Sequence, residues 1–170
     1  MFQIGDKIVH PMHGAGIIES ITEERISGKV MQFYVFKMPV SGLVLKIPTA
    51  NTDAIGVRPI SDRDTLEDIL AKIPEIGVDM TTNWNHRYRE NMERIKSGDL
   101  LEVISVIKAL MHREQERGLS TGERKMLHNA KQILLTELVL VEGSAYSEAE
   151  ARINAAMLKG ENDELLSQTL

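Results

Sequence analysis

The 170-residue chain has no cysteine, and that absence removes disulfide scaffolds, thiolate zinc sites, iron-sulfur clusters and thiol nucleophiles together. Aromatic residues are few: three Tyr, three Phe and a single tryptophan, Trp84. No stretch of eighteen apolar residues is present to span a membrane, and Met1 to Lys7 lacks the basic-then-apolar pattern of a secretory leader. These absences predict a soluble, cytoplasmic protein with no membrane partner. The phosphate-loop pattern GxxxxGK[ST] does not occur, and Gly14-Ala15-Gly16 is too short for a dinucleotide fingerprint. His10-Pro11-Met12-His13 brings two imidazoles close, but Pro11 breaks any helix that would align them and no further ligand follows at metal spacing. Glu23-Glu24 and the Glu148, Glu150 pair lie in turn or surface contexts without an apolar pocket to raise a carboxyl pKa. The expectation is therefore no enzyme activity, no metal, no cofactor and no small-molecule substrate.

What is present is an ordinary globular composition, 42% hydrophobic and 26% charged, enough for one domain or two small ones. The net charge of −5 is unevenly spread. Residues 1–58 carry a net +1, 59–80 a net −4, 81–135 a net +3 and 136–170 a net −5, counted over Lys, Arg, Asp and Glu. A basic segment within an acidic chain suits a few phosphate contacts at one patch and is too small to wrap DNA alone.

Hydrophobic periodicity divides the chain in two. Lys7-Ile8-Val9, Gly16 to Ile21, Val30 to Lys37, Leu43 to Ile47 and Ile55-Gly56-Val57 read as short strands, with Ser27-Gly28 and Ser41-Gly42 as turns. Alternation puts Leu43, Leu45 and Ile47 inward, with Val44 and Lys46 outward. Five short strands in under 60 residues predict a small SH3-like or Tudor-like antiparallel β-barrel. After Pro59 the period becomes helical. Asp64-Thr65-Leu66-Glu67 has the form of a capping box and opens a helix that stops before Pro74. Further helices are expected over Trp84 to Lys96, from Leu100 to about Gly118, from Ser120 to Gly143, and from Ser147 to Leu158. Lys159 to Leu170 has no core-forming pattern and is expected to fray. The fold class is thus α+β in two domains: a barrel over 1–58, a linker over 59–63, an all-α domain over 64–158 and a frayed tail over 159–170.

One segment stands out chemically. Thr82 to Asn91 sets the only tryptophan among cationic and amide side chains at a helix start. A helical wheel groups Trp84, Tyr88, Asn91 and Ile95 on one side and leaves Asn85, His86, Arg89 and Lys96 elsewhere. A packed Trp84 and an exposed one fit that wheel equally well. Helix N-termini also favour phosphate, and Arg113, Arg117, Arg124, Lys125 and Lys131 add charge downstream, where a solvated helix face explains them as readily. His86, His112 and His128 are expected to face solvent.

Gly5-Asp6-Lys7-Ile8-Val9-His10-Pro11-Met12-His13-Gly14, Ile47-Pro48-Thr49-Ala50-Asn51, Asn83-Trp84 before Arg87-Tyr88, Gln115-Glu116-Arg117-Gly118-Leu119-Ser120 and Gly122-Glu123-Arg124-Lys125-Met126-Leu127 form five ordered blocks. Together they make the chain resemble the CarD family of bacterial transcription regulators. The amino-terminal domain of that family is related to the polymerase-interacting domain of transcription-repair coupling factors. The resemblance spans nearly the whole chain.

It implies a barrel that docks on the β subunit of RNA polymerase and a helical domain that meets promoter DNA at the upstream edge of the transcription bubble. Trp84 takes the position of a minor-groove wedge, an established use of an apolar ring. Asn85, His86, Arg87, Arg89, Arg124 and Lys125 form the implied DNA surface, and Arg25, Val44 and Lys46 the implied polymerase surface. Two positions depart from the family pattern: His86 puts an imidazole where relatives carry a permanent cation, and Glu24 replaces a basic polymerase contact. A tethered regulator that stabilises the open promoter complex, located with transcription complexes on the nucleoid, is the implied function. The competing expectation is an SH3-like protein-interaction adaptor without DNA contact, in which Trp84 is core.

Overall fold

The computed structural model describes residues 1–78 and 84–168, with side chains described for all of these except Trp84 and residues 160–168. Five strands form one antiparallel sheet: β1 (Lys7–His10), β2 (Gly14–Ile26), β3 (Lys29–Lys37), β4 (Val44–Pro48) and β5 (Arg58–Pro59), in the order β4-β3-β2-β1-β5. A 3-10 turn and the short helix α1 (Thr52–Ile55) join β4 to β5. A helical region follows: α2 (Arg63–Ala71), α3 (Trp84–Lys96), α4 (Leu100–Arg117), α5 (Thr121–Glu142) and α6 (Tyr146–Gln168). The α+β architecture of a small antiparallel sheet followed by helices is the one expected. No helix among the described residues is long and apolar enough to cross a membrane.

Local chemistry explains the elements. Ser27 and Gly28 both take positive φ, 51° and 79°, which gives the tight turn whose twist matches the strands it joins. Side chains of Asp62, Asp99 and Ser120 accept from the backbone N–H groups of Thr65, Leu101 and Glu123, so each caps the helix that follows. Gly98 and Gly143 close α3 and α5 at positive φ.

The strands divide their residues between two cores. Ile8, Ile18, Tyr34, Phe36 and Ile47 pack inside the sheet, whereas Val9 and Ala15 join the helical core with Leu66, Ile104, Ile107, Ile133 and Leu134. Period two on β1 sends Ile8 to one core and Val9 to the other. The start of β2 presses against α5. A Cβ on Gly14 would lie 2.4 Å from Thr136 Oγ1, and Thr136 Oγ1 accepts from the buried Ala15 N–H at 2.9 Å. Nearby, Arg58 reaches out of β5 to Glu137 of α5 with two hydrogen bonds of 2.7 and 3.1 Å, and its Nε donates to the Gly98 carbonyl. Ser61 donates to the same carboxylate. At the far end Arg152 of α6 joins Glu67 of α2 and Glu142 of α5.

Several expectations are corrected. Residues Ile55 to Val57 are not a strand: α1 ends at Ile55, Gly56 caps it at a left-handed φ of 93°, and pairing to β1 begins at Arg58. Leu43 is exposed, because it precedes β4 and the alternation holds only within the paired strand. The α2 cap is Asp62, so the helix starts two residues earlier than the Asp64 box implies. His112 is buried and its Nε2 lies 2.9 Å from the Met157 carbonyl, since α6 covers that side of α4. The α6 backbone is helical from Tyr146 through Gln168, a span that takes in most of the segment expected to fray.

Candidate functional site

Two surfaces carry the expected site residues. On the sheet, β4 is an edge strand paired with β3 alone among the described residues. The register Lys37↔Val44 and Val35↔Lys46 puts Val44 and Lys46 on the outer face, where Val44 is 51% exposed. Cross-strand pairing of Glu24 with Met31 places Glu24 on that face too, and its carboxylate is paired with the Lys46 ammonium. The neighbouring Arg25 pairs with Val30 and falls on the opposite face, because successive residues of a strand alternate. It is therefore set apart from Val44 and Lys46. Met31, also exposed, adds an apolar neighbour to the Val44 side.

The second surface lies where α3 begins. Asn85, His86 and Arg89 are exposed, and the His86 Nε2 stands 3.5 Å from Glu90 one turn on. Asn91 and Ile95 are buried and Tyr88 half-buried, as the wheel divides them. The Trp84 backbone opens α3, and its side chain lies outside the described residues. Arg124 and Lys125 are exposed in the first turns of α5.

Arg87 does not share that exposure. It is 7% accessible, and its Nε donates to Glu123 Oε2 at 3.1 Å. Burial of a cation requires a partner, and the Glu123 carboxylate, itself 3% accessible, supplies it. Arg87 thus belongs to the interior joint between α3 and α5 rather than to the outer surface.

Glu123 is the residue that sequence reasoning missed. Its backbone N–H donates to Ser120 Oγ at 3.2 Å, Ser120 Oγ donates to Oε1 at 3.3 Å, and Arg113 Nε of α4 stands 4.0 Å from Oε2. Burial works to raise this carboxyl, but the Arg87 hydrogen bond and charge, with Ser120 and Arg113, hold it below the ordinary carboxylate value. Ser120-Thr121-Gly122-Glu123 has the spacing of a capping box, which sequence can show, whereas the second partner of Glu123, 36 residues away, takes the fold to reveal.

His10 and His13 form no ligand set. Their rings lie 4.7 Å apart, and His10 Nδ1 accepts from the Met12 N–H, so the pair shapes a loop. Among the described residues no group of three or more His, Asp or Glu side chains is placed to hold a metal ion.

Residues 2–61 match the domain described as CarD-like/TRCF RID, and residues 68–154 match the CarD C-terminal domain. The chain belongs to the CarD family. A relative from Bacillus subtilis (strain 168), named "Putative transcription factor YdeB", is 39% identical over 143 residues, which cover 84% of this chain and 94% of that one. Membership makes this CarD-family chain a transcription factor whose amino-terminal part is of the RNA-polymerase-interacting type. The two matched segments carry the two surfaces separately: Val44 and Lys46 lie in the first, and the α3 and α5 cations lie in the second.

Proposed function

We propose that this CarD-family protein docks on the β subunit of RNA polymerase through the outer face of β4 and carries its helical part to promoter DNA at the upstream edge of the bubble. Residues 1–58 are the docking domain, 59–63 the linker and 64–158 the DNA-facing domain. Val44 and Lys46 make the docking contact; an edge strand with one free side suits pairing with another chain. Trp84 is the wedge, and Asn85, His86, Arg89, Arg124 and Lys125 touch DNA around it. Binding the open complex better than the closed one shifts isomerisation toward open, tenfold for about 1.4 kcal/mol of differential affinity. No enzymatic step is involved. The protein works in the cytoplasm, with transcription complexes on the nucleoid.

The observation that carries this reading is one chain holding both family domains with an exposed edge strand on one and exposed cations at adjoining helix starts on the other. Docking supplies a high local concentration, so few phosphate contacts suffice in a chain of net charge −5. The decisive experiment follows open-complex lifetime on a short-lived promoter with the cognate polymerase. The protein lengthens it, Trp84→Ala loses the effect with docking retained, and Lys46→Ala loses it through weaker docking. An unchanged lifetime with wild-type protein confirmed to be docked favours the adaptor reading.

A further inference from the structure

The DNA-facing residues proposed above come from two helices that meet at one buried carboxylate. Glu123 sits in the first turn of α5, accepts from Ser120 at its own N-cap, and receives Arg87 Nε of α3 at 3.1 Å, with Arg113 of α4 at 4.0 Å. Three helices therefore converge on a group that solvent barely reaches. Around it, Trp84 lies three residues before Arg87 on α3, while Arg124 and Lys125 follow Glu123 directly on α5. Asn85, His86, Arg89, Arg124 and Lys125 are all exposed, whereas Arg87 and Glu123 are buried where α3 and α5 meet.

We infer that Glu123 is a positioning residue: through Arg87 it fixes the first turn of α3 against the first turn of α5, so that Trp84 and the cations of both helices meet DNA in one register. Glu123 touches no DNA itself. Its carboxylate is suited to the task because one oxygen holds the local cap and the other the arginine of the neighbouring helix, which ties local and long-range geometry together. A rigid helix start matters here because phosphate contacts position a protein on the duplex only when they act together.

This inference rests on the assignment of Trp84 as the wedge, and the test separates the two. Glu123→Gln, Trp84→Ala and the double variant are compared in the full chain with polymerase and promoter, reading thermal unfolding, polymerase binding and open-complex lifetime over a range of salt. Glu123→Gln keeps the shape and the cap acceptor while removing the charge that holds Arg87. The expected result is a chain folded at the assay temperature that docks like wild type yet shortens the lifetime several-fold. The protein-dependent part of the lifetime then varies less steeply with salt, because fewer phosphates are engaged at once. The double variant is no shorter-lived than Trp84→Ala alone. Arg87→Lys, which retains the buried cation but not the guanidinium geometry, gives the same pattern more weakly. A folded Glu123→Gln with wild-type lifetime and salt dependence overturns the inference, as does a loss fully additive to that of Trp84→Ala. So does failure of both Glu123→Gln and Arg87→Lys to fold, since the pair would then hold the whole helical core. A wild-type lifetime for docked Trp84→Ala instead sinks the wedge assignment.

Discussion

Lys46 and Lys108 show how differently one side-chain type is used. Lys46 pairs with Glu24 at a surface where both are substantially exposed, and such pairs contribute about 0–1 kcal/mol. Lys46→Ala therefore leaves chemical denaturation nearly unchanged, so any transcription defect it causes reports docking. Lys108 is 2% exposed, in the middle of α4, with Nζ donating to the carbonyls of Ile73 (2.8 Å), Pro74 (3.2 Å) and Ile76 (2.8 Å). A compact ammonium with three donors matches three carbonyls in and just after the 3-10 turn Ile73–Glu75 that follows α2. Lys108→Met leaves those carbonyls short of a donor and costs about 1–3 kcal/mol in the same measurement. His10 gives a pH signature. Burial, then the neighbouring His13 charge, lowers its pKa from 6.5 to about 4. Between those values the unfolded imidazole binds a proton that the folded one refuses, so stability falls as pH drops from 6.5 toward 4 and the effect levels off below. Denaturation midpoints of wild type and His10→Asn across that window differ in slope, with the wild type falling faster; parallel curves would refute the assignment.

At the scale of elements, the start of β2 is set by its contact with α5. Gly14 has a φ of 111°, and any Cβ there meets Thr136 Oγ1 at 2.4 Å and the Gln132 carbonyl at 3.2 Å. Gly14→Ala thus combines left-handed strain with overpacking, a loss of about 1–3 kcal/mol read as a lower Tm, whereas Gly28→Ala meets only the strain because nothing lies within 4 Å. The contrast also shows where sequence reading stops. The Ser27-Gly28 turn and the helix ranges of α4 and α5 depend on residues a few positions apart, and each is legible in the sequence. Gly14 reads as loop flexibility until Thr136, 122 positions later, is seen against it. The same holds for Arg87: Thr82 to Asn91 has the look of a cationic surface, and only the fold shows that one of its arginines turns inward to Glu123. Two charges in the sequence do mark the interior, Lys108 inside the apolar run from Val103 to Leu110 and Glu137 among the apolar residues of α5. A charge at a core position requires a buried partner, although sequence does not say which.

For the molecule as a whole, the partner of Glu137 decides how the two parts act together. Its side chain is 0% exposed and accepts both terminal nitrogens of Arg58, while Arg58 Nε holds Gly98 at the turn between α3 and α4. One arginine in the edge strand β5 thus ties down both α5 and the end of α3, the two helices that bear the proposed DNA contacts. A protein that docks by its sheet and works by its helices transmits position through this joint, and effective concentration at the DNA depends on how narrowly the joint restricts the helical part. The two halves of the pair are not equivalent. Arg58→Met leaves the buried Glu137 carboxylate with its Ser61 bond but without its cation, and removing one partner of a buried pair costs about 3–5 kcal/mol. Glu137→Gln leaves behind a guanidinium that is 24% exposed and retains its bond to Gly98, so it costs less. Denaturation should therefore rank Arg58→Met below Glu137→Gln. With Glu137→Gln folded at assay temperature, polymerase binding stays at the wild-type level while open-complex lifetime falls, because the docked sheet no longer dictates where α5 lies. Equal stability of the two variants would mean that Glu137 finds other compensation. An undiminished lifetime would mean that the sheet and the helices need not be held rigidly for the bridge to work.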